Sequence, residues 1–164
     1  MGMVWVASLA NEEQVAEIRQ NPDAAYDFAN SEEAYDSGRQ IDLDKQWHGV
    51  HFLLTGSAGA TDSPLSIILG QFEEIGPDNG LGPAWVVPSS AWAACHEKLS
   101  ALTDADIRAR FDTEAMSREG IYLADLFADE GDEALGFLMQ DVARLRKFAE
   151  QATQNTLNAI AVIT

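Results

Sequence analysis

Three polar side chains in the first third of the chain have the types and the spacing that acid–base or metal chemistry requires. Asp44, His48 and His51 occupy positions i, i+4 and i+7. On an α-helix, which turns by about 100° per residue, they fall with Thr55 on one strip beside an apolar face. Two imidazoles and a carboxylate in this arrangement could bind a divalent metal ion or form a general acid–base group.

Structural roles explain the same three residues, and the sequence favours these roles over catalysis and over metal binding. Asp44 is a typical N-cap, whose carboxylate accepts hydrogen bonds from backbone N–H groups. His48 and His51 can be polar core residues that bond to backbone carbonyls. The zinc motif His-Glu-x-x-His is absent, so a metal site would need a further ligand from another part of the chain.

Two tryptophans extend this candidate site to a binding pocket. We expect the pocket to be built from residues 42–56 and 80–86. The predicted lining residues are Trp47, His48, His51 and Trp85. Such a pocket is the usual form of a small-ligand site. Because no complete catalytic motif is present, the favoured hypothesis is a module that binds a small molecule or a protein partner.

Two other functions are compatible with the same residues. The alternative hypothesis is a hydrolase or transferase that works with or without a metal ion. In it, His48 or His51 acts as a general base or as a metal ligand. Asp44 would then orient one imidazole. A purely structural partner in a larger complex is a third hypothesis. No cofactor is indicated by the sequence.

Other residues that could do chemistry have simpler explanations. The segment Gly80–Pro83 has too few glycines for a phosphate loop, and Pro83 lacks an N–H donor. The segment Gly56–Gly59 does not match the Gly-x-Ser-x-Gly nucleophile motif. Cys95 lies on the apolar stripe of a predicted helix, so it is predicted to be a core residue rather than a nucleophile.

The composition excludes several classes of protein. The chain has 164 residues, with 27 acidic and 10 basic side chains and a formal net charge of −17. Because phosphate contacts require clustered Lys and Arg, this charge argues against nucleic-acid binding and against docking on anionic membranes. A single cysteine excludes an internal disulfide, and no apolar run reaches the ~20 residues that span a bilayer. The N-terminus lacks the features of a secretory signal, so we expect a cytoplasmic protein.

Apolar periodicity and turn signals predict an α+β fold in one domain over residues 1–164. A small mixed sheet is expected to include strands near both termini, so that the two terminal strands could lie in the same sheet. Predicted strands cover residues 3–7, 65–74, 84–87 and 157–163. Predicted helices cover residues 11–19, 21–30, 42–56, 89–102, 104–111 and about 135–152, with 31–36 helical or turn-like and 76–83 a loop.

Six motifs along the chain, in order, also occur together in a known family. They are Met1-Gly2-Met3, the block from Asp42 to Gly56, Ile68-Leu69-Gly70, Gly80-x-Gly82-Pro83-Ala84, Phe111-Asp112 with Met116, and Ile121-Tyr122. In these motifs the chain resembles the bacterial YfbM-like family over essentially its whole length. The resemblance implies a single α+β domain in a bacterial cytoplasmic protein. It implies no catalytic residue, because the family is known as a domain of unknown function.

Overall fold

Five strands form one sheet in the computed structural model, which describes residues 2–164. The strands are β1 (Trp5–Ala10), β2 (Gln40–Asp42), β3 (Glu73–Ile75), β4 (Ala84–Val87) and β5 (Asn158–Ile163), in the spatial order β2-β1-β5-β4-β3. β1 and β5 pair along their whole length, from Trp5 opposite Ile163 to Ala10 opposite Asn158. The two terminal strands therefore lie in the same sheet, as predicted, and they pair with each other directly. Every pairing among the described residues is antiparallel, so the sheet is purely antiparallel rather than mixed.

Helices make up most of the remaining regular structure. Within residues 2–164 the α-helices are α1 (Glu12–Gln20), α2 (Ala25–Ala29), α3 (Glu32–Asp36), α4 (Trp47–Thr55), α5 (Ser89–Ser100), α6 (Asp104–Arg108), α7 (Thr113–Arg118), α8 (Ala124–Glu130) and α9 (Asp132–Gln154). Two short 3-10 helices cover Pro22–Ala24 and Asp44–Gln46. The α+β prediction is confirmed. None of the helices in residues 2–164 combines the length and the apolar character that a membrane span requires.

The sheet is buried on both faces. Because side chains alternate along a strand, Trp5, Ala7 and Leu9 of β1 lie on one face, and Val6 and Ala10 lie on the other. The first set belongs to the larger apolar cluster, which also contains the buried residues of α4, α5 and α9. The second set faces the layer that contains α1 and α2. The sheet thus separates a small helical layer from a large one.

Among the nine α-helices of residues 2–164, four begin with a side-chain cap, namely α1, α3, α6 and α7. The Asn11 side chain accepts the Gln14 N–H, and the Gln14 side chain accepts the Asn11 N–H, so α1 begins with a complete capping box. Thr103 and Asp106 do the same for α6. The sequence Asn21-Pro22 is typical of a capped helix start, but the Asn21 side chain makes no capping hydrogen bond and Pro22 begins a 3-10 helix.

The segment before α4 differs from the single helix predicted over residues 42–56. Residues 40–42 form the edge strand β2, and α4 begins only at Trp47. The Asp42 carboxylate accepts the backbone N–H of Asp44 at 2.6 Å, and Asp44 has a left-handed backbone with φ of +46°. Asp44 is the first residue of the 3-10 turn before the helix, and the N-cap position of α4 is Gln46, so Asp44 is neither on α4 nor its N-cap.

The segment 65–74 is also different from its prediction as a long strand. Only residues 73–75 form the short strand β3, although Leu65, Ile67 and Ile68 are buried as expected. The Ser66 hydroxyl accepts the Thr61 N–H at 3.0 Å and donates to the Leu69 carbonyl at 3.3 Å. These bonds hold an irregular, buried loop, because they satisfy backbone groups that a strand would pair with a neighbour.

Candidate functional site

Helix α4 carries both candidate histidines and is buried on nearly every side. Val50, Leu53 and Leu54 are at most 1% exposed and lie in the larger apolar cluster. The helix ends at Gly56, which has a left-handed backbone with φ of +70°. Arg110 donates hydrogen bonds to the carbonyls of Leu53 and Leu54 and so satisfies the last turn.

The imidazole of His48 is held between two backbone groups. Its Nδ1 accepts the Tyr122 N–H at 2.9 Å, so this nitrogen carries no proton. Nε2 therefore carries the proton and donates to the Ala58 carbonyl at 2.8 Å. The ring also stacks on Trp47, with centroids 4.8 Å apart. Both nitrogens of His48 are thus engaged in structural hydrogen bonds.

The imidazole of His51 is completely buried. Its Nε2 lies 2.8 Å from the Gly59 carbonyl, which can only accept, so Nε2 carries the proton. Nδ1 has no hydrogen-bond partner within the part of the chain that the structure describes. His51 is therefore a neutral core residue that holds the backbone of the loop after α4.

Burial lowers the pKa of both imidazoles below the usual value. For each ring, loss of solvation disfavours the charged form, and the hydrogen bond to the Ala58 or Gly59 carbonyl opposes this effect only in part. The neighbouring His48 lowers the pKa of His51 further. Both rings are therefore neutral in the folded protein at neutral pH.

These lowered pKa values predict a loss of stability in mild acid. Because the folded pKa lies below the unfolded value, the unfolded chain takes up protons first as the pH falls below about 6.5. The free energy of unfolding should then fall by up to about 1.4 kcal/mol per pH unit for each histidine, until the folded pKa is reached. Urea midpoints between about pH 7.5 and 5.5 test this in the wild type and in His51→Phe, which cannot titrate. Equal losses in both proteins would contradict the lowered pKa of His51.

The predicted strip of Asp44, His48 and His51 does not form. Asp44 lies in the 3-10 turn before α4, and within residues 2–164 no hydrogen bond joins its carboxylate to either imidazole. The described residues contain no group of three or more His, Cys, Asp or Glu side chains that could hold a metal ion.

Cys95 lies in the core, where burial raises the pKa of its thiol to about 12.

The two tryptophans of the predicted pocket, Trp47 and Trp85, lie in different surroundings. Trp47 is buried, and its indole N–H donates to the Met3 carbonyl at 3.1 Å, which ties the N-terminal segment to α4. Trp85 lies on β4, on the same face of the sheet as the large helical layer, and lines an open cleft. Of the four predicted lining residues, only Trp85 belongs to this cleft. Trp47 and His51 are buried, and His48 is half-buried with both ring nitrogens bonded to backbone groups outside the cleft lining.

The cleft has a volume of about 640 Å³ and lies where β3 and β4 meet the loop after α4. Its lining residues are Gly59, Ala60, Leu69, Gly70, Gln71, Phe72, Glu74 and Trp85. This volume is typical of sites for small molecules. A Cβ at Gly70 would overlap the Phe72 ring, so the glycine is what allows the ring to lie against the loop.

The histidines act on this cleft indirectly. His48 and His51 donate to the carbonyls of Ala58 and Gly59, and Gly59 and Ala60 form one wall of the cleft. The two imidazoles therefore fix the position of that wall relative to α4. They are positioning residues rather than groups that face the cleft.

Leu69, Gln71, Phe72 and Glu74 were absent from the predicted site. Residues 65–74 were predicted as one regular strand, and a strand would not bring these side chains together beside Trp85. The observed loop does so, and the hydrogen bonds of the Ser66 hydroxyl hold it. Gly70 was the available signal, since a glycine inside an apolar run indicates a bend or a close approach of the backbone.

Comparisons with known proteins agree on the fold. A family model described as a domain of unknown function (DUF1877) matches residues 1–162. Protein YfbM of Escherichia coli (strain K12) is 26% identical over 169 residues, which cover 99% of this chain and 99% of that protein. The crystal structure of a protein of unknown function, YfbM from Escherichia coli, has a TM-score of 0.75 at 23% identity, covering 98% of this chain and 99% of that one. The structural likeness demonstrates a shared fold.

Proposed function

We propose that this chain, which belongs to the family of domains of unknown function called DUF1877, is a small-ligand-binding module whose ligand lies in the cleft beside Trp85. The observation that carries the proposal is the cleft itself, with a volume of about 640 Å³ and aromatic walls from Phe72 and Trp85. Clefts of roughly 300–1,000 Å³ with apolar linings and a few polar groups are the usual sites of small molecules. Gln71 and Glu74 supply such polar groups.

The construction of the walls supports this proposal. One wall is the loop of residues 57–60, which His48 and His51 hold through the carbonyls of Ala58 and Gly59. The other wall consists of residues 69–72 and Glu74, and the Ser66 hydroxyl holds its start by donating to the Leu69 carbonyl. Because both walls are fixed by buried groups, the site is formed before a ligand arrives, which reduces the entropy lost on binding.

The hydrolase or transferase alternative has no comparable support. In a general base, one imidazole nitrogen must be free to take a proton from the substrate. His48 uses both nitrogens, and the free nitrogen of His51 is buried. Within residues 2–164 neither imidazole donates a hydrogen bond to the Asp44 carboxylate, so the orienting carboxylate of that hypothesis has no counterpart. The expected cytoplasmic location stays a prediction from the sequence.

Residue-resolved NMR of ¹⁵N-labelled protein tests the proposed site. We expect at least one compound from a library of common metabolites to shift the backbone amides of Gly59, Ala60, Gly70 and Gln71. We expect Trp85→Ala to lower the affinity for that compound by about ten-fold or more, since the aromatic side chain contributes much of the contact area. Tyr35→Ala, which removes an exposed aromatic on α3, should leave its affinity unchanged.

Two results would contradict the proposal. One is a set of hits whose amide shifts lie outside the cleft, for example in the separate cavity of about 450 Å³ beside Pro64 and Ala94. The other is a compound that shifts the cleft amides but binds Trp85→Ala and the wild type equally. In either case the cleft would not be the binding site.

A further inference from the structure

The charge inside the cleft is acidic, and the cation Arg19 in the adjoining cavity that shares Gln71 and Phe72 is already paired with Glu73. Glu74 is the only charged side chain among the described residues that line it. A smaller cavity of about 240 Å³ shares Gly70, Gln71 and Phe72 with the cleft, and its charged lining residue is Asp62. No Lys, Arg or His among the described residues lines either cavity. With a net charge of −17, the surroundings repel anions and attract cations.

Glu74 differs from its neighbour Glu73 in having no cationic partner. Glu73 lies on the opposite face of β3 and forms a bidentate ion pair with Arg19, at 2.8 and 3.0 Å. Within residues 2–164, Glu74 takes part in no ion pair. The carboxylate at the cleft is therefore available to a ligand, whereas the adjacent one is already neutralised.

An aromatic ring lies next to this free carboxylate. Glu74 and Trp85 are direct partners across the antiparallel pair β3–β4. Directly opposed residues project from the same face with Cβ atoms roughly 5 Å apart, so the carboxylate and the indole are close neighbours. Phe72 adds a second ring to the same cleft. A carboxylate beside aromatic faces is the arrangement that recognises an ammonium group, through charge and cation–π attraction together.

We propose that the cleft binds a small organic cation, an ammonium group on a compact apolar body, with Glu74 as its counter-ion and Trp85 and Phe72 as its aromatic contacts. This inference rests on the proposed function, because it assigns a ligand class to the same cleft. The Leu69 side chain and the small residues Gly59 and Ala60 accommodate the apolar body. The Gln71 side chain is available for a hydrogen bond to a polar substituent.

Choline and its neutral carbon isostere, 3,3-dimethylbutan-1-ol, are the matched probes for this inference. They have nearly the same shape, so a difference in affinity measures the effect of the charge. We expect choline to bind about ten-fold more tightly than the alcohol, as followed by the cleft amide shifts during NMR titration. In Glu74→Gln the affinity for choline should fall to that for the alcohol.

Glu73→Gln is the control variant, because it removes a carboxylate from the same strand but from the opposite face. It should leave the affinity for choline unchanged. Equal affinity for choline and the alcohol, or equal loss in Glu73→Gln and Glu74→Gln, would overturn the cationic ligand class while leaving the cleft as a binding site. Failure of choline and of benzyltrimethylammonium to shift any cleft amide would also overturn the ligand class. Failure of every library compound at the cleft would overturn the proposed function as well.

Discussion

The variant His51→Ala is expected to lose about 2–4 kcal/mol of unfolding free energy at neutral pH. The imidazole is completely buried, so its removal leaves a cavity in the core. The substitution also removes the hydrogen bond that Nε2 donates to the Gly59 carbonyl. Urea denaturation followed by circular dichroism should show a lower transition midpoint with an unchanged slope.

Two further variants separate the causes of this loss. His51→Phe keeps a ring in the core but cannot donate to Gly59, so it should lose less stability than His51→Ala. His96→Ala removes a half-buried histidine on α5 whose ring has no hydrogen-bond partner in the described part of the chain, and it should lose less than about 1 kcal/mol. A loss in His51→Ala no larger than that in His96→Ala would show that His51 does not hold the core.

The variant His51→Ala also tests how firmly the wall of the cleft is held. Without the bond from His51, the loop of residues 57–60 is held by fewer hydrogen bonds, so its amides should exchange with solvent faster under native conditions. The wall of the cleft would then be mobile, and any cleft ligand should bind more weakly. Unchanged exchange in this loop would mean that its own bonds, such as that from the Gly59 N–H to the Ser57 hydroxyl at 3.2 Å, are sufficient.

The second large effect is expected for Gly49→Val, which should lose about 2–3 kcal/mol. A Cβ at Gly49 would lie 2.8 Å from the Phe127 ring and 2.9 Å from a methyl group of Leu138. Gly49 therefore allows α4 to approach α8 and α9 closely. Valine adds two further methyl groups to this contact, so α4 and its histidines must shift. Thermal and urea unfolding measure the loss.

A second helical glycine provides the matched control. Gly136 lies in α9, and a Cβ there would meet no atom within 4 Å. Because alanine has a higher helix propensity than glycine, Gly136→Ala should gain about 0.5–1 kcal/mol. Gly49→Ala should instead lose stability, despite the same gain in propensity. Changes of the same sign for these two alanine variants would contradict the close packing at Gly49.

Regular patterns in the sequence were sufficient to predict the elements that pack broadly against the core. Apolar residues recur every three or four positions over the length of α9, and its buried residues include the predicted Leu138, Val142 and Leu145. The strand β4 was predicted at residues 84–87, and the cap at Asn11 was close to the predicted start of α1. These elements depend on the secondary-structure propensity of their residues and on one continuous apolar face. Both can be recognised in a short stretch of sequence.

Short or irregular segments could not be predicted from such patterns. The strand β2 has only three residues and exists because β1 is next to it. Asp44 has a left-handed backbone and lies in the 3-10 turn before α4, so it is not on the helix that carries both histidines. The sequence offered no periodic signal for either feature.

The sequence by itself therefore determined the α+β class, the possibility that both terminal strands share one sheet, and the presence of two histidines on one helix. Only the tertiary structure decided what surrounds them. His48 receives its hydrogen bond from Tyr122, 74 residues away, and this bond selects the tautomer of the ring. The cleft is built from residues 59–60, 69–72, Glu74 and Trp85, and its far side is set by the pairing of β4 with both β3 and β5. Contacts between distant segments depend on how the whole chain packs, so the local patterns of residue types, apart from the bend signal at Gly70, did not reveal this cleft.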